Sequence, residues 1–330
     1  MVMGWHQEVH RRSVMRRALL VGIDDYDNFT PLRGCVNDVN ALRPLFERHE
    51  DNSPNFEVVP VTSDSSRVTK AGLMSNIMGL LAPGADVAVL YFAGHGQAEA
   101  SDVTLCTTDG QTGDEGVPFS KILSQVRESK VGEVIIILDC CFSGGAGGTG
   151  VIGGDLSLLR PGVAILSASR ADQPAGENNG QGVFSFYLGG ALDGGASDVL
   201  GHVTVATAYS YLSESLGAWS QRPTFKSNLE RLNALRKCEP AVPLPLLRRL
   251  PSIFPAETYE LPLDPSYEPD AEPDHPEHEE VFSVLQKFRS AKLLEPIGNE
   301  HMYYAAMNNL SCRLTRLGRH YWRIAARGAI

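Results

Sequence analysis

Cysteine is scarce in this chain: six in 330 residues (Cys35, Cys106, Cys140, Cys141, Cys238 and Cys312), with no Cys-x-x-Cys pair. Such thin spacing excludes a disulfide framework and fits a reducing compartment. Long apolar runs are also missing. No stretch approaches the ~18–20 residues a membrane helix needs, and Met1–Arg17 is polar and basic without an apolar h-region. The expectation is a cytoplasmic protein with no membrane contact. No internal repeat is present. What the chain does have is 43% hydrophobic positions, which excludes a wholly disordered polypeptide. Its length admits one large domain or two ordinary ones.

The formal net charge of −10 hides three regions of different sign. Between Glu257 and Glu280 there are ten carboxylates and no Lys or Arg; from Val281 to Ile330 there are eight Lys/Arg against two Glu. Residues 1–256 are mildly acidic. Ten prolines fall between Pro240 and Pro276, interleaved with the acidic run. Proline removes backbone donors and like charges repel, so this stretch reads as an extended linker.

From Arg16 onward, short apolar runs rich in branched residues alternate with helical patterns. The runs are Ala18–Ile23, Phe56–Val61, Asp86–Phe92, Glu133–Leu138 and Gly162–Ser167, and helices are expected near 36–49, 69–81, 118–126, 184–192 and 203–216. This is the pattern of an α/β chain with a mostly parallel sheet flanked by helices.

In an open α/β sheet, ligands bind at the carboxyl ends of the strands. Two strand ends stand out: one run ends in Gly94-His95-Gly96, another in Asp139-Cys140-Cys141-Phe142-Ser143-Gly144. Of nine histidines, only His95 lies at the end of a buried run. A thiol with a pKa near ~8.5 needs a base or a positive partner to act near pH 7, and an imidazole supplies either. The glycines flanking His95 let backbone approach a ligand. The plainer alternative is a capped turn histidine beside small buried cysteines.

Phe92-Ala-Gly-His95-Gly, followed some 45 residues later by Asp139-Cys-Cys141-Phe-Ser-Gly, resembles the histidine and cysteine motifs of caspase-like cysteine peptidases, closest to the metacaspase branch. Ala18–Asp24 resembles the family's first strand, Leu32–Asp38 the loop after it, and Leu166–Ala175 with Gly182–Leu188 the small-subunit region. The likeness covers about Arg16 to Lys226 in the family's order. It implies a caspase-like three-layer fold, with Cys141 as nucleophile, His95 as its partner, and backbone N–H groups of Gly96 and Cys141 as the oxyanion hole. Phe142 stands where metacaspases usually carry a histidine. The resemblance also implies a pocket for a basic substrate residue lined by Asp38 and Asp139, with Cys35 and Ala93 beside them; serine is the commoner residue at the position of Ala93. Convergent carboxylates in a dry cleft suit a guanidinium. Cleavage is therefore expected after Arg, then Lys, of a protein or peptide substrate. The alternative for Asp38 is a helix N-cap, and for the whole chain a catalytically silent scaffold that binds a partner.

No cofactor is expected to be required. Calcium is common in the family, and Asp109, Asp114 and Glu115 follow the histidine motif, but three carboxylates do not define its shell of six to eight oxygens; no metal ligand set is assigned. Gly145–Gly150 matches Gly-x-Gly-x-x-Gly without the strand and helix a dinucleotide site needs. Arg11-Arg12, Arg16-Arg17, Arg248-Arg249, Arg160 and Arg170 are the arginines weighed for self-cleavage, with Arg160 disfavoured by Pro161. The expected domains are an N-terminal extension (1–15), the peptidase domain (16–235), a linker (236–278) and a small α-rich C-terminal domain (279–330). That last segment, with helices near 279–292 and 315–327 around a strand at 310–314, is similar to winged-helix modules. Arg316, Arg319, Arg323 and Arg327 share one helical face. The readings for this stripe are a solvated face, docking onto a protein partner or the acidic linker, and nucleic acid, in that order.

Overall fold

The computed structural model describes residues 14–98, 102–140, 142–143, 159–168, 177–178, 180–217, 222–269 and 272–330. Cys141, Gly145–Gly150, Arg11, Arg12 and Arg170 lie outside them. Two compact units divide the chain: one runs through Ala196 and resumes over Val203–Lys237, and the other comprises Ser197–His202 and Cys238–Ile330.

The first unit is built on a six-stranded sheet. Its parallel strands are β1 (Arg16–Gly22), β2 (Glu57–Thr62), β3 (Val87–Ala93), β7 (Glu133–Asp139) and β9 (Val163–Ser167). They correspond, within one or two residues, to the five expected runs. An antiparallel edge strand, β12 (Thr224–Asn228), completes the order β12-β9-β7-β3-β1-β2. Strands β3 and β7 are buried at every position, which explains their unbroken apolar runs. Helices α1 (Cys35–Glu47), α2 (Lys70–Leu80), α3 (Phe119–Glu128), α4 (Val183–Gly190) and α5 (Val205–Leu216) fall where helical periodicity was expected. The chain passes from β1 outward to β2, then crosses back to lay β3 on the other side of β1. The carboxyl ends of β1 and β3 therefore diverge at a topological switch point, where a crevice must open.

Periodicity gave no sign of a second sheet. β4 (Gly96–Ala98), β5 (Val103–Gln111), β6 (Asp114–Pro118) and β8 (Phe142–Ser143) pair in the order β6-β5-β4-β8, with β4 and β8 parallel. Two of these strands are three residues or shorter, too brief for alternation to register. A two-stranded hairpin, β10 (Glu177–Asn178) with β11 (Gln181–Gly182), leads into α4.

In the second unit the structure differs from the tether expected over 236–278. Val242, Leu247, Leu250, Phe254, Leu263 and Tyr267 from that stretch are buried in one core with Phe282, Leu285, Phe288, Leu294 and Cys312. Four of the ten prolines that read as breakers stand in first turns: Pro245 in α6 (Leu244–Leu247), Pro251 in α7 (Leu250–Ile253), Pro265 in a 3-10 turn over Pro265–Tyr267 and Pro276 in α8 (Pro276–Ser290). A first-turn residue has no intrahelical acceptor for its N–H, and the fixed φ of proline suits that position. Strands β13 (Glu260–Pro262), β14 (Leu294–Ile297) and β15 (Ser311–Leu314) form an antiparallel sheet in the order β13-β15-β14, accompanied by α9 (Met302–Met307) and α10 (Arg316–Ala326).

The acidic stretch supplies counter-charges within this unit. Arg323 of α10 pairs with Glu257, so one arginine of the stripe meets a carboxylate of the segment read as linker, and Arg249 pairs with Glu280 at 2.7 Å. Such exposed pairs are worth about 0–1 kcal/mol each. Among the described residues, no helix is long and apolar enough to cross a membrane.

Candidate active site

The crevice at the switch point is built from three loops. After β1, the chain turns through residues 23–34 into α1. The amino end of that helix is capped not by Asn37 or Asp38 but by Asp24, whose carboxylate accepts from the amides of Cys35 (2.9 Å) and Val36 (3.2 Å). Asp38, freed from that duty, sits in the first turn of α1 and is 2% exposed.

His95 follows β3 and is half-buried. Its Nε2 lies 2.7 Å from the carbonyl oxygen of Thr30. A carbonyl only accepts, so this contact assigns the proton of the neutral ring to Nε2 and leaves Nδ1 as the basic nitrogen. The backbone N–H of His95 donates to the Tyr26 hydroxyl at 2.8 Å, and the Tyr26 ring lies against the imidazole at 4.8 Å between centroids. A Cβ at position 94 would stand 2.6 Å from the Tyr26 hydroxyl and 3.1 Å from the Phe92 ring, which is why glycine precedes this histidine.

Strand pairing brackets the two motifs. Ala93, the last residue of β3, is in register with Asp139, the last residue of β7; three residues further on, Gly96 of β4 is in register with Phe142 of β8. His95 and Cys141 occupy equivalent places in these two spans, one residue before Gly96 and Phe142. Gly96 opens β4, opposite Leu105 on its other side. Cys140 is 1% exposed and packs in the main core.

Asp38 and Asp139 come together at Gly182. A Cβ built on Gly182 would lie 2.9 Å from Oδ2 of Asp38 and 2.8 Å from Oδ2 of Asp139. The Gly182 N–H donates to both carboxylate oxygens of Asp38, at 3.0 and 3.2 Å. Asp139, 8% exposed, accepts from the Ser185 hydroxyl, whose oxygen in turn takes the Tyr91 hydroxyl proton at 2.6 Å. Burial raises Asp139 from its ordinary 3.8 to about 6, against the lowering effect of the Ser185 hydroxyl and amide. Burial also pushes the Cys35 thiol far up, reinforced by Asp24, Asp139 and Asp38, so Cys35 belongs to the same cluster as an uncharged thiol. Ala93, 1% exposed, lies beside Asp139 through the strand pairing. The structure thus gathers Cys35, Asp38, Ala93 and Asp139, with His95 at the adjoining strand end. Tyr26, Thr30, Tyr91, Gly182 and Ser185 were missed by sequence reasoning, for their contacts span as many as 144 positions.

The three carboxylates considered for calcium are engaged locally. Asp109 accepts from the Thr107 hydroxyl and the Lys70 amide, Asp114 pairs with the Lys70 ammonium, and Glu115 accepts from the Gly113 amide. Among the described residues no three His, Cys, Asp or Glu side chains are grouped as a metal ion would require. Of the arginines considered for self-cleavage, Arg16 and Arg17 lie within β1. Arg160 donates to the carbonyls of Val126 and Val131, and Arg248-Arg249 joins α6 to α7.

Comparison with known proteins agrees with this fold. Residues 15–233 match the caspase domain family. The chain is 26% identical over 232 residues to metacaspase-1 of Yarrowia lipolytica, covering 63% of this chain and 46% of that protein. It is 30% identical over 152 residues to metacaspase-6 of Arabidopsis thaliana, covering 39% and 38% respectively. It therefore spans less than half the length of these curated relatives. Among solved structures, caspase-1 of Spodoptera frugiperda superposes with a TM-score of 0.50 at 12% identity over 68% of this chain and 91% of that one. A protein of Geobacter sulfurreducens gives 0.53 at 15% identity, over 68% of this chain and all of that one. The order of strand-end motifs, the sheet they terminate and the family match over two thirds of its length make this chain a member of the caspase domain family.

Proposed function

We propose that this chain is a cysteine endopeptidase that cleaves after Arg, then Lys, with Cys141 as nucleophile and His95 as proton carrier. The observation that carries the reading is the paired register on both sides of the two residues, Ala93 with Asp139 and Gly96 with Phe142. Cys140, buried in the core, is poorly suited to attack a substrate. The His95 ring takes the Cys141 thiol proton, and the sulfur adds to the scissile carbonyl carbon. Backbone N–H groups of Gly96 and Cys141 serve the oxyanion. Collapse breaks the C–N bond as the imidazolium returns its proton to the leaving amine; water, deprotonated by His95, then cleaves the thioester and restores the thiol. Two carboxylates within 3 Å of one point support a guanidinium as the occupant of the neighbouring pocket.

Turnover of an Arg-ending fluorogenic peptide tests the assignment. The parent protein is expected to cleave it, and Cys141→Ala to be inactive. Activity kept in Cys141→Ala but lost in Cys140→Ala would overturn the nucleophile. A parent protein that neither cleaves the peptide nor reacts with a thiol-directed Arg-peptide probe would overturn the enzyme reading in favour of a binding scaffold.

A further inference from the structure

His95 is held on three sides by one short segment. The Thr30 carbonyl takes Nε2, the Tyr26 hydroxyl takes the backbone N–H, and the Tyr26 ring covers the imidazole at 4.8 Å and 51°. Phe29 supports both, with ring centroids 5.9 Å from Tyr26 and 6.4 Å from His95. Position 94 leaves no room for a side chain between the Tyr26 hydroxyl and this backbone. We propose that Tyr26 is a positioning residue for the cysteine–histidine reaction, fixing the backbone of His95 through its hydroxyl and favouring the imidazolium through its ring. The proposal rests on the catalytic reading of His95.

Each half of the side chain has its own physical task. A hydroxyl that accepts the His95 N–H removes the freedom of the peptide at the strand end, and with it the swing of the ring. Burial pushes the Tyr26 phenol well up, so it remains a neutral acceptor throughout the working range of a thiol enzyme. The ring matters when the thiol proton moves to His95, because a cation within about 6 Å of an aromatic centroid is attracted by the ring quadrupole. The ion pair of thiolate and imidazolium is then easier to form.

Two variants separate these tasks. Tyr26→Phe keeps the ring and removes the acceptor; kcat is expected to fall about fivefold to tenfold, the cost of one buried amide left unpaired, with KM unchanged. Tyr26→Leu removes the ring as well, and the pH at which Cys141 becomes reactive to iodoacetamide is expected to rise by about half a unit. Mass spectrometry of Cys141 alkylation against pH reads that shift without relying on turnover, and a purely structural role would not move it. If His95→Ala is inactive while Tyr26→Phe keeps the parent kcat and Tyr26→Leu keeps its alkylation profile, the proposal is wrong and the catalytic reading stands. If His95→Ala keeps full activity, the catalytic reading itself fails. Should Tyr26→Leu not fold, the kcat of Tyr26→Phe decides alone.

Discussion

Strand β7 begins with Glu133 and ends with Asp139, and both carboxylates are buried, at 5% and 8% exposure. At the amino end, Glu133 accepts from the Asn233 side chain and feels the attraction of Arg16, which itself lies over the Phe56 ring at 4.1 Å and donates to the Ala234 carbonyl. At the carboxyl end, Asp139 meets the neutral donors of Ser185 and converges with a second carboxylate, Asp38, on one glycine. Both groups are raised by desolvation, but only Glu133 has a cation to offset it. Charge that is matched holds a fold together. Two carboxylates converging in a dry crevice are what the proposed pocket for a cationic substrate residue rests on.

The largest effect should separate the two ends by activity. Asp139→Asn is expected to lower kcat/KM for an Arg-ending peptide on the order of a hundredfold, as loss of one buried partner of a charged ligand does, while Glu133→Gln leaves it unchanged. For the parent, kcat/KM should also decline as pH falls below about 6, where Asp139 takes up a proton and the pocket loses a charge. Equal losses in both variants would erase the distinction between the ends.

Stability should move the other way. The folded state binds the Asp139 proton more tightly than the unfolded chain does, so this group contributes stability below about pH 4 that is lost as pH rises through about 6. Asp139→Asn removes that loss, and thermal unfolding at pH 7.5 should show a gain on the order of 3 kcal/mol that vanishes at pH 4. No gain at pH 7.5 would mean that the carboxylate is compensated in the folded state.

The smallest effect belongs to Glu133→Gln. Its shift has the same sign as that of Asp139, but hydrogen bonds from Asn233 and the attraction of Arg16 offset part of the burial, so the gain at pH 7.5 should be smaller than that of Asp139→Asn. A gain as large as that of Asp139→Asn would show that Asn233 and Arg16 do not offset its burial.

Legibility in the sequence followed local signal. Five parallel strands and five helices of the first unit registered as apolar runs and helical spacing; His95 and Asp139 stood out because they lie at strand ends, and Asp38 through the family resemblance of its loop. Of the second sheet, β4 and β8 escaped because they are too short for a period. The prolines from Pro240 to Pro276 misled because composition does not say whether a proline interrupts a helix or begins one; only the burial of Val242, Leu247, Leu250, Phe254 and Leu263 does.

By itself, the sequence determined the strands and helices of the first unit and the order in which the motifs behind the proposed chemistry meet them, because motif and periodicity are properties of neighbouring positions. The tertiary structure decided what surrounds them: Tyr26 and Thr30 on His95, Gly182 between two carboxylates, and Asp24 as the cap of the helix whose first turn holds Asp38. These are contacts between loops distant in sequence, set by strand order and register, and no local pattern encodes them.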